Sequence, residues 1–146
     1  MSIVTKTGDK GTTVYFGKIV KKTDPQVEAV GSLDELQAAI ELINYELRIK
    51  NLEKVIEDLY LIMGKKPIVE KIKRLEKKIE ELEKEIKIEN KFVIFKKKRA
   101  LSLNWVRTVV RRVERKCWIL KDEEVGIYLN RLSDYIYLLA VKEERE

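Results

Sequence analysis

The positions of glycine and proline constrain the fold of this chain more than any other feature of its sequence. Its 146 residues include two prolines and six glycines, and five of the glycines lie before residue 65. Because glycine and proline interrupt helices most strongly, the remainder of the chain is predicted to form long helices joined by short turns. This length suits one domain with its own core, so we expect residues 1–146 to form a single domain.

Apolar residues recur at intervals of three and four, the spacing of one helix face, and predict an all-α five-helix bundle. The predicted helices run from between Asp24 and Ser32 to about Arg48, from about Leu52 to Gly64, from Ile68 to Glu89, from Ala100 to about Leu120, and from Val125 to Glu143. Asp24-Pro25 and the capping-box spacing of Ser32 and Glu35 are alternative start signals for the first helix. The third helix is either a coiled coil or, as we favour, an edge helix of the bundle. A basic loop, Lys96–Arg99, is predicted to precede the fourth helix.

The chain has no histidine, which excludes His-based nucleophile pairs and histidine metal sites. Its lone cysteine, Cys117, excludes an internal disulfide and is expected to be a small core residue. No stretch approaches the roughly 20 apolar residues of a membrane span, and the start lacks the apolar run of a signal peptide. We therefore expect a soluble cytoplasmic protein, whose net charge of +6 permits nucleic-acid binding without arguing for it.

A basic stripe lies in the fourth predicted helix. At roughly 3.6 residues per turn, Arg107, Arg111, Glu114 and Arg115 share one face. A guanidinium group binds phosphate through two parallel charge-assisted hydrogen bonds and stays protonated. The stripe is thus a phosphate-binding candidate, and the alternative is a solvated helix face.

The N-terminal segment is rich in threonine and glycine and is predicted to be a loop. It contains the run Thr5-Lys6-Thr7-Gly8-Asp9-Lys10-Gly11-Thr12-Thr13 and ends in a short aromatic run before Gly17. Hydroxyls and glycine N–H groups are good phosphate ligands, and Lys6, Lys10 and Lys22 add positive charge. The Walker A pattern is missing, so an ordinary polar terminus is the alternative.

Two further sets of polar residues lie on predicted helices. Asp34 interrupts an apolar pattern, so it is either paired with an arginine or simply exposed near a helix start. Asn130 and Asp134 share a face at i,i+4 and would line a cleft if buried. Nearby tyrosines are interpreted as core residues: Tyr128, Tyr135 and Tyr137.

Three blocks, taken together and in this order, resemble the PduO-type ATP:cob(I)alamin adenosyltransferases across most of the chain. They are Thr-Lys-Thr-Gly-Asp-Lys-Gly-Thr-Thr at 5–13, Glu-Ala-Val-Gly-Ser-Leu-Asp-Glu-Leu at 28–36, and Arg-Thr-Val-Val-Arg-Arg-Val-Glu-Arg at 107–115 with Tyr-Leu-Asn-Arg-Leu-Ser-Asp at 128–134. The resemblance implies an ATP-binding loop over residues 1–23, a helical bundle over residues 24–146, and a homotrimer with ATP and corrinoid bound at subunit interfaces.

The resemblance also implies roles for individual residues. The expected ATP-binding residues are Thr5, Lys6, Thr7, Gly8, Thr12, Thr13, Lys22, Arg111, Arg112, Glu114, Arg115 and Asn130. The expected catalytic residues are Asp34, Arg107, Arg111 and Asn130, with Arg107 pairing with Asp34 across the interface. Phe92 matches the aromatic residue of the corrinoid patch.

The implied reaction is attack of cob(I)alamin on the 5′ carbon of ATP, which releases triphosphate and forms adenosylcobalamin. Cobalt is the nucleophile, so the protein needs no general base, and Mg²⁺ is expected to be bound through the ATP phosphates. A corrinoid reductase or an adenosylcobalamin-dependent enzyme is the implied protein partner. Two departures bear on the corrinoid side: Phe95-Lys96-Lys97 replaces the family's Pro-Gly-Gly, and Asn104 stands where the family often has histidine.

Two alternative functions remain open from the sequence. The first is a non-catalytic carrier or sensor that binds ATP or corrinoid with the same fold. The second is a basic helical module that binds nucleic acid or an acidic partner through residues 91–99, although that segment lacks a recognisable motif.

Overall fold

The computed structural model describes residues 1–89 and 91–146, and within them five long helices follow a β-hairpin. The elements are β1 (Thr12–Tyr15), β2 (Lys18–Lys21), α1 (Pro25–Leu47), α2 (Lys50–Met63), α3 (Val69–Ile86), α4 (Lys98–Cys117) and α5 (Glu123–Arg145), with a short 3₁₀ turn, Trp118–Leu120, after α4. The predicted five-helix bundle is confirmed. No helix among the described residues is both long and apolar enough to cross a membrane.

The N-terminal segment differs from the prediction, because the loop expected there contains an antiparallel hairpin. Its strands pair in a register that runs from Thr12 opposite Lys21 to Tyr15 opposite Lys18. The two residues between the strands, Phe16 and Gly17, both have positive φ angles, of 44° and 77°. Two positive φ angles are the mark of the tight turn that suits the twist of a hairpin.

Helix α1 begins at the first of its two predicted start signals. Asp24 caps it, because its Oδ1 accepts a hydrogen bond of 2.8 Å from the backbone N–H of Gln26, and Pro25 occupies the first turn. The alternative start at Ser32 is wrong. Ser32 is buried inside the helix, where its hydroxyl donates to the carbonyl of Ala29 at 2.6 Å.

The helices form an antiparallel arrangement with two distinct ends. Helix α1 packs against α2 and α4, and α5 packs against α3 and α4. Lys116 at the end of α4 pairs with Glu28 at the start of α1, whereas Arg99 at the start of α4 donates to the carbonyl of Leu47 at the end of α1. The hairpin end of the bundle therefore holds the starts of α1 and α5 and the ends of α2 and α4.

The prediction of a basic loop at Lys96–Arg99 is wrong for Lys98 and Arg99, because α4 already begins at Lys98. Arg99 lies in the first turn and donates to Glu143 of α5 at 2.6 and 3.1 Å. Glu144 accepts hydrogen bonds from the backbone N–H groups of Lys96 and Lys97, at 2.8 and 3.0 Å. The end of α5 thus caps α4, which has no capping side chain of its own.

The core is aliphatic, and several predicted core residues lie in it. Tyr128, Tyr135 and Cys117 are buried as expected, whereas Tyr137 is half-buried. Helix α3 buries only a narrow apolar stripe, which packs on α5. This confirms that α3 is an edge helix of the bundle.

Candidate functional site

The basic residues of α4 divide between two sides of the helix. Arg112 faces α1 and pairs with Glu35 at 2.6 Å, one turn before the pair that joins Lys116 to α1. Arg111 and Arg115 are exposed, and neither makes an ion pair among the residues that the structure describes. The predicted stripe therefore keeps two arginines without an ion pair among the described residues, and such arginines are available to an external anion.

Arg107 is half-buried between α4 and α5. Its Nε donates to Oδ1 of Asn104 at 2.9 Å, and its guanidinium carbon lies 6.0 Å from the centroid of the Tyr137 ring. The ring of Phe95 meets the same tyrosine edge-on at 6.2 Å between centroids. Tyr137 thus connects the arginine stripe with the segment that contains Phe92, which is itself fully exposed.

Helix α5 brings two polar residues alongside the stripe. Asn130 and Asp134 lie one turn apart on its exposed side. Partial loss of contact with water raises the pKa of the Asp134 carboxyl, and the positive charges of Arg131 and Arg111 oppose that rise. Asp134 therefore lies within the electrostatic influence of Arg111, one turn from Asn130. The sequence analysis expected Asn130 and Asp134 to line a cleft if buried, and in the single chain both are exposed.

Glu114 is half-buried beside the stripe and is held by a residue that the sequence analysis missed. Nε1 of Trp118 donates to Oε1 of Glu114 at 2.6 Å. The four-residue spacing of Glu114 and Trp118 places them on the same side of a helix and could have revealed the pair.

The threonine- and glycine-rich loop is exposed and is held together by local contacts. The hydroxyls of Thr5 and Thr7 lie 3.0 Å apart. The side chain of Lys22 packs against Gly8 so closely that a Cβ on Gly8 would lie 2.7 Å from the lysine Nζ. The backbone N–H of Lys22 also donates to the carbonyl of Gly11 at 2.9 Å. Four of the expected ATP-binding residues, Thr5 to Gly8, therefore lie in one short segment, and a fifth, Lys22, packs against it.

Other expected residues of the loop lie on either side of that contact. Lys6 adopts a left-handed backbone conformation, with φ of 60°. Thr12 and Thr13 are half-buried in β1. A left-handed residue turns successive N–H groups toward one side, which is the geometry of an anion-binding nest.

The chain alone does not join the loop to the arginine stripe. No hydrogen bond or ion pair of residues 1–89 and 91–146 links residues 5–13 to α4. Asp34 is exposed on α1 and makes no ion pair with Arg107 within the described chain. Within the single chain Asp34 is therefore exposed, which was one of the two alternatives from the sequence. The pairing of Asp34 with an arginine of another subunit stays a prediction.

A cavity of about 750 Å³ lies apart from these residues, at the hairpin end of the bundle. Its walls include Tyr15 and Phe16 of the hairpin, Leu33 of α1, and Lys65 after α2. The Lys65 ammonium lies 3.7 Å from the centroid of the Phe16 ring and 5.1 Å from that of Tyr15. This cation–π contact fixes the tip of the hairpin to the turn between α2 and α3.

Asp58 is a buried charged residue that links three helices, and the sequence analysis did not identify it. The Asp58 carboxylate of α2 is 1 % exposed, pairs with Arg74 of α3, and accepts a hydrogen bond of 2.7 Å from the Tyr128 hydroxyl of α5. Burial raises the pKa of Asp58, and burial beside Asp58 raises the pKa of Tyr128 well above its ordinary value. An aspartate within the apolar pattern of α2 was the available signal.

Comparisons with known proteins agree with this arrangement. Residues 3–143 match the model of the cobalamin adenosyltransferase family. The chain is 33 % identical to the corrinoid adenosyltransferase PduO of Citrobacter freundii and 34 % identical to that of Salmonella typhimurium, in each case over all of this chain and 51 % of the relative. It therefore spans about half the length of these two relatives. A corrinoid adenosyltransferase of Bacillus subtilis is 32 % identical, over 96 % of this chain and 85 % of that protein.

Solved structures of corrinoid adenosyltransferases are also similar to this chain. One variant of a PduO-type ATP:corrinoid adenosyltransferase from Lactobacillus reuteri, complexed with ATP, superposes with a TM-score of 0.89 at 28 % identity, over 98 % of this chain and 94 % of that one. Another variant from that organism, complexed with cobalamin and ATP, gives a TM-score of 0.87 at 27 % identity, over 99 % and 94 % of the two chains. The match along nearly the whole sequence, together with the shared fold, shows that this chain belongs to the cobalamin adenosyltransferase family, as its three ordered motifs predicted.

Proposed function

We propose that the protein transfers the 5′-deoxyadenosyl group of ATP to cob(I)alamin and so forms adenosylcobalamin and triphosphate. One observation carries the proposal: α4 holds Arg111 and Arg115 free of ion pairs among the described residues, while Arg112 beside them is neutralised by Glu35. Uncompensated guanidinium groups next to the polar side chain of Asn130 are suited to a nucleoside triphosphate. Family membership and relatives that bind ATP and cobalamin support the same reaction.

The proposed reaction requires little acid–base catalysis from the protein. A bond forms between cobalt of the cob(I)alamin substrate and C5′ of ATP, while the bond from C5′ to the triphosphate oxygen breaks, and the electron pair leaves with triphosphate. The chain's own residues orient the two substrates and neutralise the leaving group. Arg111 and Arg115 supply this positive charge in the proposal. A chain without histidine is well suited to such a reaction.

The Thr5–Gly8 segment, Thr12 or Thr13, and Lys22 complete the nucleotide site in this proposal, but from a second copy of the chain. The support is geometric, because within one copy no described polar contact joins the loop to α4. A homotrimer with Asp34 of one copy against Arg107 of the next would bring the two parts together. The exposed position of Asp34 on α1 leaves it available for this contact.

Mg²⁺ is proposed to enter with ATP. The described residues contain no group of three or more His, Cys, Asp or Glu side chains that could hold a metal ion. Mg²⁺ commonly keeps several waters and binds through substrate phosphates and one or two carboxylates, so the residues present fit this mode. When bound, it neutralises part of the triphosphate charge, and the arginines of α4 neutralise the rest.

Phe92 is proposed to contact the corrinoid. Its full exposure leaves the ring available, and the neighbouring Phe95 is anchored on Tyr137, the residue that also meets Arg107. This anchoring supports a corrinoid position next to the nucleotide. A corrinoid reductase or adenosylcobalamin-dependent enzyme as partner, and a cytoplasmic location, remain predictions.

The proposal is tested by incubating the purified protein with ATP, Mg²⁺ and chemically reduced cobalamin under strict anoxia. Adenosylcobalamin should form and be visible in the absorbance spectrum, and its absence would contradict the proposal. Tight ATP binding without product would instead select the non-catalytic carrier or sensor. Salt-dependent binding of duplex DNA that ignores ATP would select the nucleic-acid module.

A further inference from the structure

The Glu114 carboxylate accepts a hydrogen bond from Trp118. Trp118 lies in the 3₁₀ turn that follows α4, with half of its side chain exposed, and its indole N–H donates to Oε1 of Glu114 at 2.6 Å. A hydrogen bond from a neutral donor to a carboxylate is stronger than one between two neutral groups.

Gly126 of α5 contacts the six-membered ring of the indole. A Cβ built on Gly126 would lie 2.5 Å from Cη2 and Cζ2 of Trp118, which is closer than any real contact. The ring therefore rests against the backbone of the first turns of α5, in a position that only glycine leaves open. The indole thus contacts α5 through its six-membered ring and α4 through its N–H group.

This arrangement leaves the second carboxylate oxygen of Glu114 free to accept a hydrogen bond, since Oε2 has no hydrogen-bond partner among the described residues. Glu114 lies between Arg111 and Arg115 in the sequence of α4. A carboxylate repels a triphosphate, so any favourable contact that it makes with ATP is with a donor of the nucleoside: a ribose hydroxyl or the adenine amino group.

We propose that Trp118, seated on Gly126, is a positioning residue that aims Glu114 at a hydrogen-bond donor of the nucleoside part of ATP. This inference rests on the proposed function, because that function names ATP as the ligand. It goes further in assigning Trp118 and Gly126, which contact each other rather than the nucleotide, to recognition of the nucleoside.

Two variants test the proposal by different routes, with ATP binding and steady-state kinetics as readouts. Trp118→Phe keeps an aromatic ring and loses the donor, whereas Gly126→Ala keeps the donor and displaces the ring. Both should raise the Kd and KM for ATP by roughly three- to tenfold and leave kcat within about twofold, because they alter one charged hydrogen bond. Gly64→Ala is the control for Gly126→Ala, since its Cβ meets nothing closer than 3.4 Å. Circular dichroism and the melting temperature check that each variant is folded.

Nucleotide analogues identify the donor that Glu114 contacts. The wild-type protein should bind 2′-deoxy-ATP, 3′-deoxy-ATP or ITP more weakly than ATP, according to which donor is missing. In Trp118→Phe the difference between ATP and that analogue should shrink. Equal affinity for all four nucleotides, or unchanged discrimination in both variants, would overturn the proposal while leaving the adenosyltransferase reaction in place. A wild-type protein that does not bind ATP would overturn the proposed function as well.

Discussion

Arginines that lie side by side in α4 have different surroundings, and this should give them different roles. Arg111 is exposed and near Asp134, whereas Arg112 is held by Glu35 of α1. The sequence analysis expected both arginines to contact the nucleotide. Pairing with the neighbouring helix α1 is what distinguishes them, since both side chains are exposed.

Arg111→Ala should lower kcat for adenosylcobalamin formation by about 100-fold or more, because the cation that stabilises the leaving triphosphate is lost. Its melting temperature should match that of the wild type, since the side chain is exposed and unpaired among the described residues. Lys73→Ala, which removes an exposed cation of α3, is the matched control and should leave kcat unchanged. Retention of activity in Arg111→Ala would argue against the proposed site. Arg112→Ala should have a smaller effect than Arg111→Ala.

Cys117 should be unreactive in the folded protein. Its side chain is buried, and burial together with the nearby Glu114 raises the pKa of its thiol to about 12. Because the thiolate is the reactive form, a thiol reagent at neutral pH should leave the native protein unlabelled and react with one thiol after denaturation. Stoichiometric labelling of the native protein would contradict this.

The same thiol predicts a pH dependence of stability. Above about pH 8.5 the unfolded thiol ionises, while the folded thiol stays protonated up to about pH 12. The unfolded state then binds fewer protons, so the free energy of unfolding should fall as pH rises through this window. Chemical denaturation of the wild type and of Cys117→Ala at a series of pH values measures the difference, and the variant should show a smaller fall.

At the level of the elements, three helices are connected by one buried carboxylate. Asp58→Ala would leave Arg74 and the Tyr128 hydroxyl without their partner, so we expect a loss of about 3 kcal/mol in the free energy of unfolding. Urea denaturation measures it. Glu57→Ala breaks an exposed pair with Lys54 and should cost less than about 1 kcal/mol. Equal effects of the two variants would show that the buried carboxylate has no special role.

The hairpin should depend on Lys65 for its attachment to the bundle. Lys65→Ala removes the cation from the Phe16 and Tyr15 rings, a contact worth about 0.5–1 kcal/mol at an exposed site. Hydrogen exchange of the strand amides in residues 12–21 should become roughly two- to fivefold faster. Lys66→Ala is the control, because Lys66 makes no described contact with either ring. Unchanged exchange in Lys65→Ala would mean that other contacts hold the hairpin.

The long helices could be predicted from the sequence, whereas the hairpin and the start of α4 could not. Long helices with a regular apolar period were found to within a few residues, and Asp24-Pro25 correctly marked the start of α1. The hairpin was missed because its strands bury no complete side chain on either face, so they lack a strong alternating pattern. Its turn also contains Phe16-Gly17 rather than the usual Asn-Gly or Asp-Gly. The start of α4 was misjudged because Glu144, its cap, is 47 residues away from Lys97 in the sequence.

At the scale of the whole molecule, we expect three copies to share their sites. Light scattering should give about three times the chain mass of 17.2 kDa. Asp34→Arg should reduce both assembly and activity, because it places like charges together across the proposed interface. The double variant Asp34→Arg/Arg107→Asp should recover part of both, whereas Glu35→Ala, whose partner lies in the same chain, should keep the assembly. A wild-type monomer with full activity would contradict the shared site.

Family membership was predictable because it depends on short motifs whose residue types and order are visible in the sequence. Division of the site between copies was expected only from the family resemblance, and it stays a prediction. Residues 5–13 and α4 are both visible as phosphate-binding candidates, but their distance within one chain is known only from the fold. Trp118 was missed for a related reason: its importance arises from its contact with Gly126, on another helix.

The burial of Cys117 has a practical consequence for measuring the assembly. A cysteine introduced at the exposed Lys73 of α3, away from Asp34 and Arg107, would be the only reactive thiol in the folded chain. A spin label attached there would report distances between copies, and the native cysteine would not have to be removed first. In an assembly of three identical chains, the three labels give a single separation. The native sequence is therefore ready for site-directed spectroscopy.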